Sequence, residues 1–174
     1  MAPNSTSSSR EGLTIRRATT VDLPALGRLG ASLLRSHYAF DPLRFMAPRE
    51  DSESGYGWFL GTQLKEEDVA IFVAEREGVV VGYVYAGLEP QSWKELRDAA
   101  GFVHDVAVIP EAQRHGVASA LIDAACEWLR SVGAPRVVLW TAEKNDGAQR
   151  LFARLGFRRT MIEMTLELRG AEEI

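Results

Sequence analysis

A single cysteine, Cys126, stands among 174 residues, so no internal disulfide can brace the chain. No run approaches the ~18 consecutive apolar residues that a membrane-spanning helix needs. The serine-rich N-terminus also lacks the apolar stretch of a secretory signal. A cytoplasmic location and no membrane partner are therefore expected. Basic residues are in slight deficit, with a formal net charge of -4. That leaves no global positive field to hold nucleic acid. His37, His104 and His115 are too scattered for a metal site, and no Cys/His spacing suits zinc. Both Gly-x-x-x-x-Gly-Lys-Ser/Thr and Gly-x-Gly-x-x-Gly are missing, which removes two common phosphate loops. What is present is ordinary for a globular chain: 46% hydrophobic and 25% charged residues. The length suits one domain with a sizeable core. Residues 1–12 are small and polar and read as a disordered tail, leaving 13–174 as a single domain.

Hydrophobic periodicity divides that domain. Leu13–Arg17 alternates like a short strand. Leu23, Leu26, Leu29, Leu33 and Leu34 recur at helical spacing to about Ser36. Residues 39–57 carry few periodic signals, with short helices expected near Pro42–Phe45 and Trp58–Glu66. Val69–Glu75 and Val79–Tyr85 are β-rich runs flanking Arg76-Glu77-Gly78, a hairpin signal. Trp93–Ala99 reads as a loop or a helical turn. Phe102–Ile109 reads as a strand ended by Pro110, and a helix follows over 116–131, stopped by Gly133 and Pro135. A strand at Val137–Thr141, a helix at Asp146–Leu155 and a last strand at Arg159–Leu168 complete the order. Strands in hairpins followed by strands alternating with helices predict an α/β fold with a mixed sheet and helices on its faces.

The segment Val106–Ser119 is the most informative. A strand ends at a proline, and a small-residue turn opens a long amphipathic helix. A helix start exposes unpaired N–H groups and the positive end of the dipole, which together favour a phosphate. Gly116 and Ala118 leave room for a diphosphate, and Arg114 and His115 add positive charge. The bland alternative is that the small residues only let the helix pack closely on a strand.

Gln113-Arg114-His115-Gly116-Val117-Ala118 resembles the Gln/Arg-x-x-Gly-x-Gly/Ala signature of the GNAT family of N-acetyltransferases. Asn145, Ala148, Phe152 and the closing Gly156-Phe157 resemble the family's next block, and Ile15–Thr19 its opening. The likeness spans residues 13–168. It implies the GNAT acyl-CoA N-acyltransferase fold, with a mostly antiparallel central sheet and helices on both faces. It implies acetyl-CoA as co-substrate and direct transfer of acetyl to a primary amine. Backbone groups of Val106, Ala107 and Val108 would pair with the pantetheine arm. The N–H groups of Arg114, His115, Gly116, Val117, Ala118 and Ser119 would hold the diphosphate. Asn145 would contact the pantetheine or position the adjoining helix. Splaying of the strands at 102–109 and 137–141 would open the cofactor slot. Homodimers are common in the family, although no interface is legible in this sequence.

Direct transfer requires a base to take the amine's proton, and donors for the developing oxyanion. Many relatives carry a glutamate where this chain has Trp140. The candidates for the base are therefore Asp105 and His104, with Glu89 third. Adjacent strand residues face opposite ways, so only one of the pair is expected in the slot. The family's usual tyrosine acid is replaced by Phe152; Tyr38, Tyr56, Tyr83 and Tyr85 are the available substitutes. Cys126 is expected to be a small buried thiol, and the four tryptophans core or pocket wall. Glu50–Glu53 reads as a solvated loop, or as an attractor for a cationic amine. A small-molecule amine is the preferred acceptor. The alternatives are a protein or peptide amine, or an acyl-CoA-binding sensor without turnover, a reading motivated by Phe152 and Trp140.

Overall fold

The computed structural model describes residues 12–168. The expected tail therefore lies outside the described residues, apart from Gly12. Five strands form one sheet in sequence order: β1 (Leu13–Arg17), β2 (Val69–Arg76), β3 (Val79–Glu89), β4 (Ala100–Val108) and β5 (Val137–Leu139). The first four pair antiparallel, and β5 joins β4 in parallel. The β2–β3 hairpin turns on Glu77 and Gly78, both at positive φ, the conformation of a tight two-residue turn whose twist matches its strands.

Helices cover both faces. On one face lie α1 (Leu23–Phe40) and α2 (Ser52–Gln63), packing Leu26, Leu29 and Leu60 against Ile71, Val73, Tyr83 and Tyr85. On the other, α3 (Val117–Ser131) sets Leu121, Ala125 and Leu129 against Ala74, Val84, Ala86 and Val103. The period-two alternation of β3 supplies both cores: Tyr83 and Tyr85 point one way, Val84 and Ala86 the other. Burying a leucine such as Leu121 contributes about 1.5–3 kcal/mol. A fourth helix, α4 (Asp146–Arg154), follows β5.

Several expectations are corrected. α1 continues past Ser36 to Phe40; Asp41 N–H closes the last turn on the His37 carbonyl, and Pro42 disfavours helix at the residue before it. Pro42–Phe45 is a turn rather than a helix, and α2 begins at Ser52, earlier than Trp58. Glu50–Glu53 is therefore not a free acidic loop: Asp51 is the N-cap residue of α2 and Glu53 lies in its first turn, where a carboxylate favours the helix dipole. The strand expected over Arg159–Leu168 does not form. A strand needs a neighbour for its N–H and C=O groups, and no described strand pairs with this segment. Trp58 and Trp93 are exposed rather than core, and Cys126 is half-buried rather than fully enclosed.

Candidate active site

The site begins where the sheet comes apart. β4 and β5 pair only through Gly101–Val137, Phe102–Val138 and Val103–Leu139. Beyond that point the strands diverge around a cleft of about 90 Å³, lined by His104, Asp105, Val106, Trp140, Thr141, Asn145 and Phe152 among others. The splay expected from the sequence is thus present.

A β-bulge sits at the same point. Tyr85 faces Asp105 and Ala86 faces Val103, so His104 is an extra residue on β4. A bulge breaks the alternation of side chains. Val103 and Val106 both pack toward α3. His104 and Asp105 both turn to the tyrosine face: the His104 ring lies 4.6 Å from that of Tyr85, and Asp105 meets Tyr83. The expectation that only one of the pair could enter the site is corrected for this reason.

Asp105 is half-buried and held by two phenols. Tyr56 Oη donates to its Oδ2 at 2.7 Å and Tyr83 Oη donates to the same oxygen at 3.0 Å. Oδ1 has no side-chain donor among the described residues. Burial pushes the carboxyl above the usual carboxylate range, and the two phenol hydrogen bonds partly offset this. Burial and the neighbouring carboxylate in turn hold both phenols well above their ordinary values. Tyr56 reaches this place because Gly30 clears it: a Cβ on Gly30 would lie 2.0 Å from the Tyr56 ring.

His104 stacks between Tyr85 and Phe102, with Nε2 3.3 Å from Glu89 Oε1. The pair is ionic only when the imidazole is protonated. Burial holds this imidazole below its ordinary pKa. All three candidate bases therefore converge, with Glu89 acting on His104. The substitute acids are accounted for differently. Tyr56 and Tyr83 donate to Asp105, Tyr85 donates to Gln63 Oε1 at 2.8 Å, and Tyr38 lines neither cavity.

A second cavity of about 240 Å³ is lined by Leu33, Leu34, His37, Arg44, Phe45, Met46, Tyr56 and Asp105. Asp105, His37 and Leu33 line both cavities. His37 escaped the sequence reading as a site residue. Its Nδ1 meets the Leu33 carbonyl at 2.9 Å, which leaves Nε2 free. Only its place in the last turn of α1, next to the aromatic segment 38–45, could have signalled it.

The turn before α3 leaves backbone donors open. Arg114 and Gly116 both have positive φ, and no side chain caps the helix. Its first N–H groups, from Val117 to Ser119, lack intrahelical acceptors. Arg114 and His115 are exposed beside them. The Gln113 side chain is engaged elsewhere, donating to the Val108 carbonyl at 3.0 Å and tying the turn to the strand end. Along β4, Ile109 N–H donates to Val81 O at 2.9 Å. The alternation of an antiparallel ladder then turns Ala107 toward β3, and Val106 and Val108 toward the cleft. Only the latter two can offer backbone groups there, which removes Ala107 from the expected backbone contacts. Asn145 Oδ1 accepts from Ala148 N–H at 3.1 Å and so caps α4, which favours the positioning role. Phe152 is a buried wall against Phe157.

Residues 33–157 match the model of the acetyltransferase (GNAT) family, and the chain belongs to that family. It is 33% identical over 100 residues to an uncharacterized N-acetyltransferase of Methanocaldococcus jannaschii, covering 58% of this chain and 44% of that one. It is 33% identical over 110 residues to an N-alpha-acetyltransferase of Sulfurisphaera tokodaii, covering 60% of this chain and 66% of that one. The chain thus spans between two fifths and two thirds of the length of these curated relatives. Among solved structures, an aminoglycoside N-acetyltransferase AAC(6')-Iy in complex with CoA superposes with a TM-score of 0.69 at 20% identity, over 98% of this chain and 100% of that one. At that identity the likeness speaks for the fold.

Proposed function

We propose that this protein transfers the acetyl group of acetyl-CoA to a primary amine carried by a small molecule. The observation that carries the reading is Asp105, one half-buried carboxylate lining both the cleft between the splayed strands and the chamber beside α1. A two-substrate reaction needs such a junction.

The residues fit a CoA thioester. The uncapped start of α3, with Arg114 and His115 beside it, would hold the diphosphate. Val106 and Val108 would offer backbone groups to the pantetheine, and Phe152 an apolar wall. Acetyl-CoA supplies the acetyl group as an activated thioester. The rest falls to this chain. The chamber has apolar sides in Leu33, Leu34, Phe45 and Met46 and a polar lining of Asp105, Tyr56, His37 and Arg44, the last ion-paired with Glu163. It therefore admits an ammonium group on an apolar stem. Its 240 Å³ falls below the ~300–1,000 Å³ that enclose drug-sized ligands, which favours a small amine. Asp105 Oδ1 attracts the ammonium and takes its proton, while Tyr56 and Tyr83 hold Oδ2 in place. A carboxyl raised above its usual range is a better base than an ordinary one. The Val106 N–H, turned to the cleft, is placed to meet developing negative charge.

Acceptance of a peptide α-amine is the second reading, favoured by the identity to the N-alpha-acetyltransferase. The test is thiol release from acetyl-CoA, screened over polyamines, aminoglycosides, amino acids and short peptides, with calorimetric acetyl-CoA binding alongside. Release dependent on a small amine supports the proposal, and release with peptides alone supports the second reading. Binding without release from any amine would make the chain an acyl-CoA-binding module, and absence of binding would refute the cofactor assignment.

A further inference from the structure

The acceptor chamber is charged at two places. Among its lining residues Asp105 is the one carboxylate and Arg44 the one guanidinium. Their positions differ. Asp105 and His37 line the cleft as well as the chamber, whereas Arg44, Phe45 and Met46 line the chamber alone. The reacting nitrogen has to lie where cleft and chamber meet, against Asp105 and His37. His37 Nδ1 donates to the Leu33 carbonyl, an oxygen that only accepts. In the neutral ring Nε2 then keeps a lone pair, a second acceptor for an amine N–H. The remainder of the acceptor molecule extends toward Arg44.

Arg44 lies in the turn after α1 with part of its donor set unused. Glu163 takes its Nε and Nη2, the latter at 3.0 Å. The guanidinium carbon sits 5.0 Å from the centre of the Phe45 ring. These contacts hold the guanidinium plane, yet Nη1 has no partner among the described residues. Glu163 does not itself line the chamber. What the chamber meets at this end is therefore a cation with open N–H groups, the ordinary counterpart of a carboxylate.

We infer that the acceptor is a small amino acid, its ammonium group against Asp105 and His37 and its carboxylate on Arg44 Nη1. The inference rests on the acetyl transfer proposed above and names the class of amine. One anion and one cation in a single chamber complement a zwitterion. The apolar sides suit the hydrocarbon between its two ends. Arg44 also acts against acceptors with a second ammonium, since like charges would then face each other. The chemistry is that of direct transfer: a C–N bond forms as the thioester C–S bond breaks, the amine proton goes to Asp105, and the electron pair leaves with the sulfur.

Steady-state thiol release from acetyl-CoA tests this with glycine, β-alanine, γ-aminobutyrate and L-α-amino acids, each against its carboxamide, and with diamines of matching length. At least one carboxylate acceptor should exceed its carboxamide in kcat/KM by about tenfold or more, the size of one lost hydrogen bond to a charged group. The difference should lie mainly in KM, and Arg44→Gln should erase it. Release from carboxamides or diamines that equals or exceeds release from the carboxylates overturns the inference and leaves acetyl transfer to a small amine standing. A carboxylate preference that survives Arg44→Gln overturns it equally. Absence of release with every amine would refute the transfer itself, and this inference with it.

Discussion

Replacing Asp105 by Asn removes one proton acceptor and leaves the shape of the site nearly intact. An asparagine oxygen can still accept from Tyr56 and Tyr83, as Oδ2 does at 2.7 and 3.0 Å. The variant loses the charge that attracts the ammonium and the lone pair that takes its proton. General base catalysis contributes about 10²–10⁴-fold, or about 3–5 kcal/mol at 1.36 kcal/mol per decade. A fall of that size in kcat/KM is expected at neutral pH, with acetyl-CoA affinity unchanged. The pH profile adds a sharper criterion. The ionised carboxylate is the active form, so wild-type turnover rises with pH through the Asp105 pKa, which burial places above the ordinary carboxylate range. One unit below that pKa a tenth of the activity remains. This acid limb should vanish in Asp105→Asn. Stability should move the other way. A carboxyl whose folded pKa is raised loses stability as pH climbs from about 3.9, its unfolded value, through the folded value, because ionisation then opposes burial. At pH 7 the amide removes that cost, so the variant should melt no lower than wild type by calorimetry. Steady-state rates from pH 5 to 9 decide the matter: a change below threefold, or an acid limb that persists in the variant, would refute Asp105 as the base.

Three further outcomes are expected. Tyr56→Phe removes a hydrogen bond that lowers the Asp105 pKa, so the acid limb of turnover should shift to higher pH, read from the same profile. Gly116→Ala has open space for its methyl group, yet must hold a φ of 77°. It should cost about 1–2 kcal/mol of stability in denaturant titration and weaken acetyl-CoA binding by calorimetry, whereas unchanged affinity would exclude the turn from the cofactor site. Asp22 is buried and receives two hydrogen bonds from Arg16, both at 2.8 Å, which hold its carboxyl below the usual range. Its stabilisation is complete above about pH 3.9 and is lost as pH falls through the depressed folded value. Asp22→Asn should cost about 2–3 kcal/mol at pH 7 and lower Tm by roughly 5–10 °C, a loss that should narrow as the pH is lowered toward 3.

Much of the fold is written in short-range signals. The Glu77-Gly78 turn, the apolar stripe of α3 and the glycine that opens it each follow from residues within a few positions of one another. Local chemistry there decides local geometry: positive φ, helical spacing and an uncapped helix start need no distant partner. The turn with open N–H donors before α3 and the order of the five strands were therefore legible, as was the candidacy of Asp105 and His104. What the two residues do together was not legible. Alternation sends neighbours to opposite faces, and only the pairing of β4 with β3 places an extra residue at His104 and brings both to one face. That register depends on strands some twenty residues apart. The partners of Asp105 come from farther still: Tyr56 from a stretch with weak periodicity, admitted by Gly30 on another helix. Residues 159–168 show the converse limit. Their alternation reads as a strand, but a strand exists only where a second backbone accepts it, and none of the described strands pairs with this segment.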